Sequence, residues 1–333
     1  MPTLAVLGAG GWGTAIATYL AQRPEHAVRL WCADPERAEL YRTSRVNTRQ
    51  LPGVRIPASV DITADEMSAV ENADAWLVAV PMAYLRETML RFVAYVKADV
   101  PIISLVKGIE NNTFQRPTEI LGSIFNTAQL VSMSGPSHAE EVARGLPTSL
   151  VVASGDLGLA AWVQQRVGGE KLRLYTNSDL VGVEMAGALK NVLGIAAGFC
   201  DGLNFGDNAK AALLTRGLVE MQRFGVAHGA NPETFHGLAG LGDLITTCFS
   251  QHGRNRRVGQ RIAQGEQLAD IVRGPQVAEG VLTARSVHER AKQMQLDLPI
   301  MTGVYRALYE GLTPMEGVQV LMGRPQKCES RRG

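Results

Sequence analysis

The sequence predicts an α/β protein. An N-terminal, doubly wound (Rossmann-like), mainly parallel sheet is expected, followed by an all-helical C-terminal domain. Up to about residue 178, short apolar segments alternate with helical stretches, which is typical of βαβ units. Beyond that point the strand pattern stops and helices follow one another. The 333 residues are about twice the size of one compact domain, so we expect domains at 1–178 and 179–333.

The elements of the first domain follow from its apolar runs. Most of these runs are continuous, as in strands that are buried on both faces. The predicted strands are Thr3–Gly8, Val28–Cys32, Trp76–Val80, Ile102–Val106, Leu130–Met133, Ser149–Ala153 and Leu172–Tyr175. The predicted helices are Thr14–Arg23, Tyr84–Val96, Phe114–Phe125 and Leu159–Val167. In the second domain, we expect breaks between helices at Gly198–Gly206, Gly229–Pro232, Gly237–Gly242 and Leu298–Pro299.

The composition excludes several classes of protein. There are 33 Lys and Arg against 32 Asp and Glu, whereas a dedicated nucleic-acid binder needs a basic surface. The longest apolar runs are too short for a membrane span of ~20 residues, and the N-terminus lacks a secretory signal pattern. The four cysteines form no C-x-x-C pair. We therefore expect a cytoplasmic protein with free thiols, no metal site, no nucleic-acid partner and no membrane span.

A glycine-rich segment follows the first predicted strand and opens a helix. Gly8, Gly10 and Gly13 fit the G-x-G-x-x-G pattern, which predicts a dinucleotide site with the pyrophosphate at the helix N-terminus. Asp34, 21 residues after Gly13, can accept hydrogen bonds from the ribose of NAD. Arg37 is close enough to hold the 2′-phosphate of NADP instead, and both residues also suit a plain helix start. The choice between NAD and NADP therefore stays open.

Polar residues follow predicted strands at the edge where doubly wound sheets bind ligands. Lys107 follows the strand that ends at Val106, and the segment 134–138 follows the strand that ends at Met133. A lysine after a strand is usually a surface residue. The glycine that follows Lys107 and its place at the expected crevice favour a role in binding.

Lys190 is the polar exception in a helix of small and apolar residues. Gly187 and Gly194 lie on the same side of this helix, which indicates that another group approaches closely. A lysine buried without a partner is costly, although its ammonium could also extend to solvent. We favour a catalytic lysine that points at a carbonyl or alcohol, with Asp243 as the group that pairs with it. Asp243 could alternatively be a plain helix cap.

A short basic segment, Gly253–Arg257, follows in the second domain. Guanidinium groups suit bidentate phosphate contacts, and the near-neutral charge of the chain favours a small phosphate site over a nucleic-acid patch. We expect Arg254 and Asn255 to bind the phosphate, with Thr247 as a weaker candidate. A solvated charged face is the alternative.

Taken in order, these residues resemble the bacterial-type NAD(P)-dependent sn-glycerol-3-phosphate dehydrogenases. The resemblance runs from Gly8 to about Arg324. It rests on the motifs Gly8–Thr14, Lys107-Gly108, Ser134-Gly135-Pro136, Gly187–Asn191, Leu241–Leu244, Arg254–Arg256 and Val277–Gly280. It implies reversible hydride transfer from NAD(P)H to dihydroxyacetone phosphate, giving sn-glycerol 3-phosphate for phospholipid synthesis.

The resemblance also implies roles for individual positions. Lys190, as proton carrier, Lys107 and Asp243 would be the catalytic residues. The cofactor would be bound by Gly8, Gly10, Gly11, Trp12, Gly13, Lys107, Ala139, Arg254, Val277 and Glu279. The substrate would be bound by Lys107, Gly135, Ser137, Lys190, Asp243, Gly253, Arg254 and Asn255.

Two positions depart from the family pattern. Gly253 stands where bacterial relatives often have serine, so a hydroxyl contact to the phosphate is expected to be missing. Ala33 stands where a cofactor-reading histidine or arginine is common, which weakens a preference for NADP. The alternatives are a related dehydrogenase acting on a β-hydroxy acid and a non-catalytic dinucleotide sensor. The weakly charged helical domain could also form a homodimer face.

Overall fold

Eight strands form a single sheet in the computed structural model, which describes residues 1–273, 278–326, 328 and 329. The strands are β1 Thr3–Leu7, β2 Ala27–Trp31, β3 Val60–Thr63, β4 Ala75–Val78, β5 Ile102–Ser104, β6 Leu130–Ser134, β7 Thr148–Ala153 and β8 Leu172–Asn177. Their order is β3-β2-β1-β4-β5-β6-β7-β8. β6 and β7 are antiparallel, whereas the other neighbouring strands are parallel. This topology confirms the predicted doubly wound, mainly parallel sheet.

Helices connect the strands of this sheet. They are α1 Gly11–Leu20, α2 Pro35–Ser44, α3 Glu66–Val70, α4 Leu85–Leu90, α5 Pro117–Phe125, α6 Ala139–Ala143 and α7 Leu157–Val167. The predicted helix Tyr84–Val96 is wrong in its extent, because α4 covers only its first part and a short 3₁₀ turn, Val93–Tyr95, follows.

The rest of the described chain is helical. Its helices are α8 Leu180–Gly202, α9 Gly206–Ala227, α10 Asp243–Phe249, α11 Arg254–Ala263, α12 Leu268–Val272, α13 Glu279–Gln293, α14 Pro299–Tyr309 and α15 Pro314–Met322. α8 is the centre of this half, with its residues from Gly182 to Cys200 buried. By length and composition α8 could cross a membrane, but 89% of its apolar window is buried inside the protein, as in a core helix.

The structure differs from the sequence-based expectations at two further places. β3 was missed because its four residues alternate between buried and exposed at the sheet edge, with Asp61 exposed in the middle. The break expected to begin at Gly198 begins later, because α8 continues to Gly202. A Cβ at Gly198 would overlap the carbonyl oxygen of Arg256 in α11. This glycine therefore lets two helices touch rather than ending one.

Candidate active site

The glycine-rich turn between β1 and α1 has the shape that a dinucleotide phosphate needs. Gly8 has φ of +113°, and a Cβ there would lie 2.9 Å from the backbone of Ala79. A Cβ at Gly13 would overlap the carbonyl of Gly8, so the helix packs directly on the turn. Gly10 is the residue before α1, and having no side chain it does not cap the first N–H groups of the helix. A Cβ there would have only Gln50 Oε1 nearby, at 3.6 Å. Uncapped N–H groups at such an end can bind a pyrophosphate, so these residues fit the cofactor.

Asp34 and Arg37, the two residues that suggested different cofactors, contact each other. One oxygen of the Asp34 carboxylate accepts the backbone N–H groups of Glu36 and Arg37 and so caps α2. The other accepts the Arg37 Nε at 2.7 Å. These contacts lower the pKa of Asp34, and the hydrogen bond from the Arg37 side chain is the largest cause. Cap and ion pair thus occupy both oxygens, and neither cofactor is selected by this pair alone.

A cluster of two lysines and one aspartate lies where the sheet meets the helical half. Asp243, the first residue of α10, accepts a hydrogen bond from Lys107 Nζ at 2.7 Å through one oxygen, and its other oxygen is ion-paired with Lys190 Nζ at 3.1 Å. Lys107 follows β5, and Lys190 lies in the middle of α8. All three residues line one cleft, together with Gly10, Gly11 and Trp12 of the glycine-rich turn and Arg254 of α11.

The charges in this cluster depend on one another. Burial lowers the pKa of Lys190 to about 8, with Asp243 opposing this effect and Lys107 adding to it. Burial alone would raise the pKa of Asp243, but the two ammonium groups, Lys107 first, outweigh it and lower that pKa. Asp243 therefore stays ionised, while Lys190 can exchange its proton near neutral pH.

The position of the Lys190 ammonium is fixed from two sides. It donates a hydrogen bond to Thr247 Oγ1 at 2.7 Å and is ion-paired with Asp243 at 3.1 Å. Asp243 and Thr247 lie one turn apart on α10. The glycines predicted to permit a close approach do so: a Cβ at Gly187 would lie 2.7 Å from Ser134 Oγ, and one at Gly194 2.7 Å from Thr247 Cγ2.

The loop after β6 holds Lys107 from the other side. Lys107 Nζ donates to the carbonyl of Gly135 at 2.8 Å and lies 3.4 Å from Ser137 Oγ. Gly135 has φ of +135°, a conformation that favours glycine. Ser137 and Ala139 line the cleft, whereas Gly135 holds the lysine through its backbone.

The start of α11 forms the far wall of the cleft. Arg254 is its first residue, and the preceding Gly253 offers no side-chain cap, so backbone N–H groups there are available to an anion. Both residues and Asn255 line the cleft. A Cβ at Gly253 would lie 2.9 Å from the carbonyl of Thr247 and 3.2 Å from that of Ser250.

Asn255 is tied into a buried chain of amides that the sequence did not reveal. Its Nδ2 donates to Asn191 Oδ1 at 2.9 Å, and its Oδ1 accepts from the backbone N–H of Gly280 at 3.0 Å. Asn191 in turn donates to the carbonyl of Lys107 at 3.2 Å. These bonds join the segment after β5 to α8, α11 and α13, which are distant in sequence. The Asn255 side chain thus joins this buried chain through both its amide nitrogen and its amide oxygen, while the residue also lines the cleft.

Glu279, the first residue of α13, faces the cleft beside the end of β4. One carboxylate oxygen accepts the backbone N–H of Met82 at 3.1 Å. The other is buried without a hydrogen-bond partner among the described residues, and burial raises the pKa of Glu279 to about 7. An unpartnered oxygen at this place fits a polar group of a bound cofactor. Val277, the neighbouring predicted contact, lies outside the described residues.

A second feature missed by sequence reasoning anchors α8, the helix that carries Lys190. Glu184, buried in α8, accepts hydrogen bonds from the backbone N–H of Thr118 at 2.9 Å and its hydroxyl at 2.7 Å, and it is ion-paired with Arg116. These contacts anchor α8 to the start of α5. The available signal was an acidic residue in an otherwise apolar helix, the same signal that marked Lys190.

The fold and this cleft define a dinucleotide-dependent dehydrogenase. Models of the NAD-dependent glycerol-3-phosphate dehydrogenase N-terminus and C-terminus match residues 3–160 and 179–319. The chain therefore belongs to the NAD-dependent glycerol-3-phosphate dehydrogenase family. This finding confirms the resemblance, and with it an oxidoreductase that uses NAD or NADP. It favours this activity over the β-hydroxy acid and sensor alternatives.

Individual relatives agree with the family model. The chain is 47% identical to a glycerol-3-phosphate dehydrogenase [NAD(P)+] of Thiobacillus denitrificans, over 98% of this chain and 99% of the relative. It is 44% identical to an enzyme of the same name from Salinibacter ruber, over 99% of this chain and 98% of the relative. The crystal structure of glycerol-3-phosphate dehydrogenase from Coxiella burnetii is similar, with a TM-score of 0.92 and 35% identity, over 97% of this chain and 99% of that one.

Proposed function

We propose that the protein reduces dihydroxyacetone phosphate reversibly to sn-glycerol 3-phosphate with NADH or NADPH. The observation that carries this proposal is the position of Lys190. Its ammonium lies in one cleft with the glycine-rich turn on one side and the uncapped start of α11 on the other. A reducible carbon could thus be held between the two, with its phosphate at α11.

The chain's own residues would supply the proton and the electrostatic stabilisation. A bound nicotinamide supplies the hydride. Lys190 would direct an N–H group at the carbonyl oxygen, stabilise the negative charge that develops there, and donate a proton to it. A pKa of about 8 suits both directions of the reaction, because neutral Lys190 can take the proton back. Lys107 would add positive potential, and it would hold a substrate hydroxyl in place of its long 3.4 Å contact with Ser137 Oγ.

Asp243 would keep the two lysines in place without itself carrying the proton. Its lowered pKa means that it remains a carboxylate while Lys190 titrates. Arg254 and the backbone N–H groups at the start of α11 would bind the substrate phosphate. Binding this remote group would help to position the reacting carbon.

We propose the division at 178/179, in the short segment between β8 and α8, with cofactor and substrate bound where the parts meet. We propose a cytoplasmic enzyme that supplies glycerol 3-phosphate for phospholipid synthesis. We also propose a homodimer formed through the helical part, which sedimentation velocity would test.

The replacement Lys190→Ala tests the central role. We expect turnover of dihydroxyacetone phosphate to be abolished, while the dissociation constant of NADH, measured by fluorescence, stays within about twofold. Lys292→Ala, an exposed lysine on α13, is the matched control and should behave as the unchanged protein. Loss of cofactor binding together with activity would mean that Lys190 is structural.

A further inference from the structure

The titratable side chains in the cleft that have no part in the proposed mechanism include His138. His138 directly precedes α6, follows Ser137, and lines the same cleft as Lys190 and Arg254. Its Nε2 atom is buried and has no hydrogen-bond partner among the described residues. Buried polar atoms are normally paired, so an unpaired one beside a binding cleft suggests that a ligand supplies the partner.

A second histidine faces His138 from the helical half. The ring of His252 lies 5.6 Å from the ring of His138, with 55° between their planes. His252 lies on the exposed turn that leads from α10 into α11, two residues before Arg254. His138 therefore lies opposite the segment that leads into the proposed phosphate site. Since His252 is on an exposed turn, its side chain can move aside without a shift of the sheet.

The residue before Arg254 cannot provide a side-chain contact in this chain. Gly253 has none, and any Cβ there would point at the carbonyls of Thr247 and Ser250 rather than into open space. A phosphate bound at the start of α11 would thus lack a side-chain donor from this position. A side-chain donor to this phosphate can come instead from the opposite wall of the cleft.

The charge state of His138 suits a donor of this kind. Burial is the main cause that lowers the pKa of His138, and the positive charge of Lys190 lowers it further. The carboxylates of Glu141, Asp243 and Glu140 raise this pKa but do not outweigh the other two causes. The neutral ring has one N–H group. It can donate a hydrogen bond without placing another full positive charge beside Lys190.

We propose that His138 is a substrate-contacting residue whose Nε2–H donates a hydrogen bond to a phosphate oxygen of the bound substrate. This inference rests on the proposed function, because it assumes a phosphorylated substrate at α11. It adds a contact from the sheet half to the phosphate site. The phosphate would then be held from both walls of the cleft.

Two replacements of His138 test the proposal. His138→Phe keeps a ring but removes the N–H group, and His138→Gln keeps a donor. We expect His138→Phe to lower kcat/KM for dihydroxyacetone phosphate, and to weaken binding of glycerol 3-phosphate to the cofactor-bound protein in calorimetry, by about 10- to 100-fold. His138→Gln should restore most of both losses. The rate with unphosphorylated dihydroxyacetone and the dissociation constant of NADH should stay within about twofold.

A control variant, together with the possible contrary results, distinguishes a failure of the His138 proposal from a failure of the proposed function. His288→Phe replaces a histidine that stacks on Tyr305 outside the cleft, and it should leave all four quantities unchanged. If the unchanged protein neither reduces dihydroxyacetone phosphate nor binds glycerol 3-phosphate, the proposed function fails. If it does both and His138→Phe matches it, or loses activity equally with both ketones, the role of His138 in phosphate binding is wrong.

Discussion

The Lys190 ammonium and the Asp243 carboxylate form an ion pair inside the protein, with 3.1 Å between Nζ and Oδ1. The lysine comes from the central helix α8 and the aspartate from the start of α10. Burial is the largest cause that lowers the pKa of Lys190, Lys107 and Arg254 lower it further, and Asp243 raises it. The pair therefore links the protonation of Lys190 to a single neighbouring carboxylate.

Replacement of this carboxylate should change the pH dependence of the reaction. In Asp243→Asn, the pKa of Lys190 should fall below its value of about 8, because the cause that raises it is gone. Ketone reduction needs the ammonium form, so its rate declines as pH rises through that pKa. The decline should move to lower pH in the variant, and kcat should fall, as a pH profile of kcat and kcat/KM would measure.

The matched control is Asp270→Asn, which removes an exposed aspartate of α12 that is paired with Arg273. Its pH profile should coincide with that of the unchanged protein. An unshifted profile for Asp243→Asn would show that Lys190 titration does not govern the reaction.

The start of α11 should contribute to substrate binding more than to turnover. We expect Arg254→Ala to raise KM for dihydroxyacetone phosphate by tens to thousands-fold, on the scale of one or more lost charged hydrogen bonds. Arg261→Ala lies on the same helix, but its side chain is exposed and paired with Glu266. It should leave KM unchanged in the same steady-state assay. A normal KM in Arg254→Ala would place the phosphate elsewhere.

The sequence predicted the site best where a charged residue in an apolar segment needs a partner to be buried. Lys190 in an apolar helix, with Gly187 and Gly194 on its side, predicted a partner at close range, and Asp243 is that partner in the structure. Lys107 could be placed because parallel strands end at the same edge of a sheet.

Other features depend on packing that no local pattern encodes. The amide chain between Asn191 and Asn255 forms only when α8, α11 and α13 meet. The sequence around Gly198 does not show whether this glycine ends a helix or allows another helix to pack closely against it. β3 has four residues and pairs on one side only, with β2, so its apolar signal was too short.

The contact at Gly198 predicts a stability effect. A methyl group there would overlap the carbonyl of Arg256, so Gly198→Ala must push α11 away from α8. We expect the free energy of unfolding to fall by about 1–3 kcal/mol, as for other overpacked cores. Urea denaturation would measure this loss.

The helix α14 offers the matched control for this substitution. A Cβ at Gly303 would have nothing within 4 Å, so Gly303→Ala should gain up to about 1 kcal/mol from helix propensity alone. Equal effects of the two substitutions would mean that the close contact of α8 and α11 does not restrict residue 198.

Glu220 predicts how stability depends on pH. This residue of α9 accepts the backbone N–H groups of Ile300 at 2.8 Å and Met301 at 3.0 Å, at the start of α14. Burial outweighs these bonds and raises the pKa of Glu220 from 4.5 to about 7. The folded protein thus binds this proton more tightly than the unfolded chain. The stabilisation is fully present below about pH 4.5 and is lost as pH rises through about 7.

The variant Glu220→Gln keeps an acceptor at this position and removes the titration. The free energy of unfolding of both proteins would be measured with urea from pH 5 to pH 8. We expect the value for the variant to increase relative to that of the unchanged protein as pH rises. The change in the difference should be at most about 3 kcal/mol and should level off above about pH 7. The other buried carboxyl groups titrate in both proteins and cancel in this comparison. Glu233→Gln, at an exposed position, should give a constant difference. A difference between Glu220→Gln and the unchanged protein that stays constant, or changes in the opposite direction, would mean that Glu220 is ionised throughout this range and that its two N–H donors outweigh burial.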